Sequence, residues 1–255
     1  MDSIVSRASR ALMLLVSLAA FSSSAMAGAT QAAVNAVAAP EPFGSRLLLP
    51  SGGAMLEKWA TVLRQWTDEK RVLDTCRQAR EQCSDPAAIE LLAIIDAARP
   101  LTGLAQLGQI NRAVNLSIRP VDDLVAHGAV DVWSSPLATL SSHAGDCEDY
   151  AIVKYVALLE AGIAPADVRM LIVRDVMRAE DHAIVAVRHE SQWLLLDNRR
   201  FVIRSDAELA NYQPLMQMDR TGARRYLEIS AASGSGLDVA AVPDAEPSSL
   251  GSLPW

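Results

Sequence analysis

Cysteine is scarce in this 255-residue chain, which has only Cys76, Cys83 and Cys147. An odd count leaves at least one thiol unpaired within the chain. Beyond the N-terminus there is no apolar run of the roughly 20 residues that a membrane-spanning helix needs, which excludes membrane insertion of the exported protein. There is no excess of positive charge either. The net charge is −7, which argues against nucleic acid or an anionic membrane surface as a partner. Internal repeats are absent, and no acidic stretch has the spacing of an EF-hand.

What is present begins with an export signal. Arg7 and Arg10 form a basic start, Ala11 to Phe21 is an apolar run, and Ala25-Met26-Ala27 is a small-residue cleavage site. The apolar run is too short for a spanning anchor. Cleavage after Ala27 removes one acid, Asp2, and two arginines, so the charge moves from −7 to −8. The mature chain is long enough for one domain with a proper core. In an oxidising periplasm Cys76 and Cys83 would pair and leave Cys147 free. On a straight helix residues seven apart lie about 10 Å apart, whereas a disulfide needs less than about 7 Å. Either the helix breaks between the two cysteines or they are unbonded thiols.

The chain divides into a signal peptide (1–27), a mobile arm rich in Ala and Pro (28–52), a folded domain (53–229) and a disordered tail (230–255) rich in Ser, Gly, Ala, Asp and Pro. Leu56, Trp59, Val62, Leu63, Trp66 and Leu73 recur at helical spacing between Met55 and Cys76. Asp85-Pro86 opens a second helix, with Asp as cap and Pro at the first position, and Pro100 stops it. A third helix covers Thr102 to about Asn115. From Arg119 to Gly145, punctuated by Pro120, Gly128 and Pro136, the expectation is a long ordered loop. Short β-type runs follow at 168–173, 183–188 and 193–196, with further strands expected at 199–204 and 224–229. The expected fold is α+β, a helical N-terminal half with a cysteine-bearing helix packed on a small antiparallel sheet.

That helix starts at Gly145-Asp146-Cys147-Glu148-Asp149-Tyr150. Gly145 suits a tight turn and Asp146 suits the N-cap. Cys147 is then the first helical residue, where the helix dipole favours the thiolate. The acidic neighbours oppose this by raising the thiol pKa, so a histidinium or a bound cation should offset them. Asp146 with Asp149 also resembles a capping box that needs no ligand, while a Ca²⁺ site is the functional alternative. Of four histidines, His182 is placed best, at the start of a strand. A hairpin turning at Glu190-Ser191 sets Val187 opposite Leu194 and Ile184 opposite Asp197. His182 and Asp197 then become diagonal neighbours within side-chain reach. A nucleophile, a base and an orienting acid are the parts of a cysteine hydrolase.

These residues carry a resemblance. Gly145-Asp146-Cys147-Glu148-Asp149-Tyr150-Ala151-Ile152 with Lys154-Tyr155 is similar to the signature of the bacterial transglutaminase-like cysteine proteases, and within them to the LapG-type periplasmic proteases. Asp131-Val132-Trp133 with Pro136, Asp181-His182-Ala183, Leu196-Asp197-Asn198 and the Cys76/Cys83 pair resemble the family too. The resemblance implies a papain/transglutaminase-like fold, with Cys147 as nucleophile, His182 as base and Asp197 as the orienting acid. It implies that Asp146, Glu148 and Asp149 help to bind Ca²⁺, that Trp133 lines the cleft, and that Asp131 supports that region. The implied substrate is the N-terminal region of a large surface adhesin, cut after paired alanines to release biofilm cells. The implied inhibitory partner is a LapD-type inner-membrane receptor holding cyclic di-GMP. Ala138 departs from the family, standing where an acid is expected. Two rivals share these residues: a transglutaminase-type acyl transferase, and a non-catalytic calcium-dependent binding protein.

Overall fold

The computed structural model describes residues 40–44 and 48–226. The signal peptide, the arm up to residue 39 and the tail from residue 230 lie outside the described residues. In chain order, the strand β1 (Leu48–Pro50) precedes three helices, α1 (Ala54–Gln78), α2 (Pro86–Ala98) and α3 (Gly103–Ser117). Then come β2 (Arg119–Pro120), α4 (Asp123–His127), α5 (Pro136–Ser142), β3 (Ala144–Gly145) and α6 (Cys147–Glu160). The remainder is strand: β4 (Val168–Asp175), β5 (Glu180–His189), β6 (Gln192–Leu196), β7 (Arg204–Ser205), β8 (Tyr212–Asp219) and β9 (Gly222–Tyr226).

The helical half follows its apolar spacing. Trp59, Val62, Trp66 and Leu73 line the buried face of α1, and the Trp59 indole N–H donates to the Asp219 carbonyl at 2.8 Å, tying this helix to the sheet. Asp85 caps α2 by accepting from the Ala88 N–H at 2.9 Å, with Pro86 at the first position. The helix α1 does break between the two cysteines. It ends at Gln78, a 3₁₀ turn follows at Arg80–Gln82, and Cys76 and Cys83 are disulfide-bonded with Cα atoms 4.8 Å apart. At the end of α6, Gly162 takes φ 103°. Its N–H bonds the Leu159 carbonyl and that of Ile163 bonds Leu158, the paired bonds of a Schellman cap.

The sheet has seven strands in the order β1-β9-β8-β4-β5-β6-β7, antiparallel throughout. One face packs against the helices, with α6 lying across β4 and β5. The other face, formed by Leu171, Val173, Ile184, Ala186, Trp193, Leu195, Tyr212 and Tyr226, is a second apolar cluster.

Three expectations need correction. The arm was read as mobile through residue 52, yet its last part is structured. Phe43 packs on the second cluster, the Trp193 indole donates to the Pro40 carbonyl at 2.7 Å, and Leu48–Pro50 pairs with β9. Composition hid this, because the anchoring partners come from more than 100 residues away. The stretch 119–145 is not a plain loop but holds α4, α5 and a two-residue parallel pair, β2 with β3. Residues 199–203 are not a strand; only Arg204–Ser205 joins the sheet, whereas β8 was not anticipated. Pro214 inside β8 argues against a central strand. It is accommodated because the pairing with β4 shifts register there, between Ile172 opposite Met216 and Val173 opposite Pro214.

The disulfide closes a short loop, so Cys83→Ser is expected to cost about 2–3 kcal/mol of folding stability. Urea unfolding under non-reducing conditions measures it, with no difference from the unsubstituted protein as the contrary result.

Candidate functional site

The helix α6 is buried almost all round. Residues Cys147 to Leu158 are all buried, including Glu148, Asp149 and Lys154. Its N-cap and first turn, Asp146 to Asp149, therefore hold three carboxyl groups and a thiol away from water. Asp146 occupies the N-cap position, but its side chain makes no capping bond, contrary to the expectation. Gly145 likewise has another role than a turn. It lies in β3, and a Cβ there would stand 2.4 Å from Asp149 Oδ2 and 2.7 Å from Asp149 Cβ. Glycine is required by close approach.

The thiol of Cys147 donates to Glu148 Oε2 at 3.3 Å. Burial pushes its pKa well above the ordinary value, the charges of Glu148 and Asp146 push the same way, and the Ala183 N–H pulls back. That amide belongs to the residue after His182, so the thiol sits against β5. Burial also raises Asp146 to about 7 and, with the charge of Asp146, raises Asp149 to about 8. Glu148 is raised well above its ordinary range by burial and by Asp146. Asp146 Oδ1, Glu148 Oε1 and Asp149 Oδ2 are buried without a hydrogen-bond partner. One donor atom each of Asp146, Cys147 and Glu148 lie within 4.8 Å of one another. Orphaned, uncompensated carboxyl oxygens are a donor set that fits a hard cation.

His182 lies at the centre of the second group. The hairpin register is as expected: Val187 faces Leu194, His189 faces Gln192, and Glu190 and Ser191 both take positive φ in the turn. His182 Nε2 meets Asp197 Oδ1 at 2.8 Å. Asp197 is filled at every lone pair that matters. Oδ1 also accepts from the Arg199 N–H at 2.9 Å, and Oδ2 accepts from Tyr212 Oη at 2.9 Å and Arg200 Nη1 at 3.1 Å. Burial works against its charge, but His182, these donors and Lys154 hold its carboxyl well below the usual range. Burial lowers the pKa of His182, against the pull of Asp197. With Nε2 turned to a carboxylate, the imidazole proton belongs on Nε2 and Nδ1 is the basic nitrogen. Nδ1 is buried and has no hydrogen-bond partner. The other histidines have other surroundings: His127 beside Asp123, His143 against the Ser117 carbonyl and Glu90, His189 beside Glu190.

The loop before α5 packs between α1 and the acidic turn of α6. Asp131 is paired with Lys58 of α1 and accepts from the Trp133 indole N–H at 3.1 Å, and Trp133 is buried. The Ser134 N–H donates to Asp149 Oδ1 at 2.9 Å. Ala138, where an acid was expected, lies in α5, whose start is held by a carboxylate of another helix. Glu69 of α1 accepts from the Ser135 hydroxyl and from the Leu137 N–H, placing a carboxylate at the start of α5. Sequence reading missed Lys58, Glu69, Asp123, Arg200 and Tyr212. Asp123 had a signal, its four-residue spacing from His127; Tyr212 had none, because β8 itself was not recognised.

A family model of the bacterial transglutaminase-like cysteine proteinases matches residues 71–233. The chain belongs to this family. No curated protein sequence matches it. Among solved structures it shares its fold with Legionella pneumophila LapG, with TM-score 0.51 and 22% identity over 61% of this chain and 86% of that one. A calcium-bound form of LapG gives TM-score 0.52 and 22% identity over 60% and 87%. An EGTA-treated form gives TM-score 0.51 and 21% identity over 61% and 84%. In family terms, Cys147 at the helix start and the His182–Asp197 pair on the sheet lie within the matched span.

Lys154, in the same helix, is 1% exposed and its Nζ has no hydrogen-bond partner. Burial lowers its pKa to about 7, against the attraction of Asp197. Between pH 7 and the ordinary lysine range the unfolded chain then binds a proton that the folded protein does not, so this residue adds stability as pH rises. Lys154→Met is expected to unfold at higher temperature than the unsubstituted protein near pH 7, with the gap shrinking toward pH 10. Thermal melts across that range check it, and a gap that widens with pH would contradict it.

Proposed function

We propose that the protein is a calcium-dependent cysteine endopeptidase of the periplasm, with Cys147 as nucleophile, His182 as base and Asp197 as the group that orients the base. The observation that carries this reading is the buried His182–Asp197 bond at 2.8 Å, on the strand whose next residue, Ala183, offers its amide to Cys147, the lone free thiol among the described residues. Asp197 keeps the proton on His182 Nε2, and the unpartnered Nδ1 takes the proton of Cys147. The thiolate attacks a peptide carbonyl and forms an acyl-enzyme. His182 then protonates the leaving amine, and next removes a proton from the water that hydrolyses the acyl-enzyme. The first N–H groups of α6 have no partner within the helix, so that of Cys147 stabilises the oxyanion.

Asp146, Glu148 and Asp149 would hold the calcium ion. Bound there, it would supply the positive charge that these buried carboxyl groups lack. The calcium-bound LapG structure, at 22% identity, supports the choice of ion. The substrate and partner rest on the family resemblance of the Asp146-Cys147-Glu148-Asp149 turn. On that basis the protein cuts the N-terminal region of a large surface adhesin at paired alanines, and a LapD-type cyclic-di-GMP receptor sequesters it. The periplasmic site rests on the Arg7–Ala27 signal. No described helix is long and apolar enough to cross a membrane.

The test is cleavage of a purified adhesin N-terminal fragment by the mature protein. Cleavage is expected with calcium, and is expected to vanish in EGTA and in Cys147→Ala. A Cys147→Ala protein that still cut the fragment would overturn the nucleophile, and full cleavage in EGTA would overturn the calcium requirement. Tyr212→Phe removes one bond to a charged acceptor, worth about 1–3 kcal/mol. It is expected to lower kcat roughly tenfold with KM little changed. Steady-state kinetics on the same fragment measure it, and an unchanged kcat would show that Tyr212 does not help to hold Asp197.

A further inference from the structure

The His182–Asp197 bond is made beyond the end of a strand ladder. The pairing of β5 with β6 runs from His189 opposite Gln192 to Val185 opposite Leu196 and stops there. His182 lies past that end on β5, and Asp197 lies past it in the turn that follows β6. The ladder therefore does not hold the turn of Asp197 against His182. Asn111 and Asn115 tie this turn to α3, which fixes it to the helical half and not to β5.

Arg199 supplies the tie to β5. Its backbone N–H donates at 2.9 Å to Asp197 Oδ1, the same oxygen that meets His182. Its guanidinium runs to the β4–β5 hairpin, where Nη2 is paired with Glu180 and Nη1 lies 3.7 Å from Asp175 Oδ2. Glu180 faces Asp175 across the hairpin. It also stands two residues from His182, on the same face of β5. Both acids are buried, at 7% and 2% exposed. Separating such an ion pair strands a charge away from water, so the pair resists opening. Asp175 is fixed in its turn, because Oδ1 accepts the Met177 N–H at 3.1 Å and Asn211 Nδ2 at 2.9 Å. The pair does little to the charge on the imidazole: Arg199 lowers the pKa of His182 and Glu180 raises it. Its effect is on position.

We propose that Arg199 is a positioning residue for the reaction, clamping the turn of Asp197 to the β4–β5 hairpin and so setting the approach of Asp197 to His182. One residue makes both contacts. A guanidinium held by Glu180 and Asp175 fixes the N–H that Asp197 accepts. The planar fork of arginine suits two carboxylates at once, whereas lysine would offer a point charge. The effect on rate rests on the protease reading; the clamp itself does not.

Two readouts test this. One is the exchange of the His182 Nε2 proton with water, measured by NMR without any substrate. The other is steady-state cleavage of the adhesin fragment with calcium. The main variant is the double Arg199→Gln/Glu180→Gln, which removes both charges together and strands neither. Asp175 keeps Asn211 and the Met177 N–H in that protein. The proton is expected to exchange roughly tenfold faster in the double variant, because the turn opens more readily. There kcat is expected to fall about tenfold with KM little changed. Glu180→Gln alone is expected to move both readouts the same way. Arg204→Gln, which removes an exposed pair with Glu208, is expected to move neither. Exchange no faster in the double variant and in Glu180→Gln, or an equal change in Arg204→Gln, would overturn the clamp. Faster exchange with an unchanged kcat would overturn its role in the reaction. An unsubstituted protein that cleaves nothing would count against the protease reading, and the exchange rates would still decide the clamp.

Discussion

The constraint on which the rest of the structure depends is the burial of the N-cap and first turn of α6. Three carboxyl groups and a thiol occupy it, and water is shut out by β5, α5 and the loop before it. Desolvation is the leading cause of every upward shift in this turn, ahead of any single neighbouring charge. The surroundings are shaped to hold the acids nonetheless. Gly145 gives up its side chain to make room for Asp149, Ser134 offers an amide, and Lys58 neutralises Asp131 near by. A helix start that buries uncompensated acids is a poor design for stability. It becomes reasonable as a place where positive charge is meant to arrive.

The His182–Asp197 pair obeys the opposite logic. Asp197 is as deeply buried as the acids of α6, yet four donors converge on it and it stays charged. Those donors come from β5, from the turn after β6 and from β8. The turn is itself clamped by α3, where Asn111 and Asn115, one helical turn apart, donate to the carbonyls of Asp197, Arg200 and Phe201. A buried carboxylate that is fully bonded fixes both the tautomer and the direction of the imidazole. The fold thus contains a neutral thiol held by desolvation and an ionised carboxylate held by hydrogen bonds. Groups whose environments push their pKa values apart are the usual mark of acid–base function.

Much of this was legible in the sequence where the signal is local. The Asp85-Pro86 cap, the glycine after α6 and the hairpin register that brings His182 to Asp197 all depend on near neighbours. The break in α1 followed from two distances alone, once the cysteines were taken as bonded. Long-range dependence hid the rest. Nothing near Phe43 says that it packs on Trp193, and nothing near Pro214 says that a register shift will make room for it in a central strand. Asp146 looked like a cap because caps are usually exposed, and burial removed that role. Asp123 and His127 were missed, although they are four residues apart on α4.

The central claim is that Cys147 is activated by the His182–Asp197 pair rather than being an inert buried thiol. The most direct measurement is the rate at which iodoacetamide alkylates Cys147 in mildly acidic buffer containing calcium, followed by mass spectrometry for the protein and for His182→Ala. The account predicts ready alkylation of the unsubstituted protein and a rate at least tenfold lower in His182→Ala. Equal rates in the two proteins would contradict it and would leave Cys147 as a structural residue.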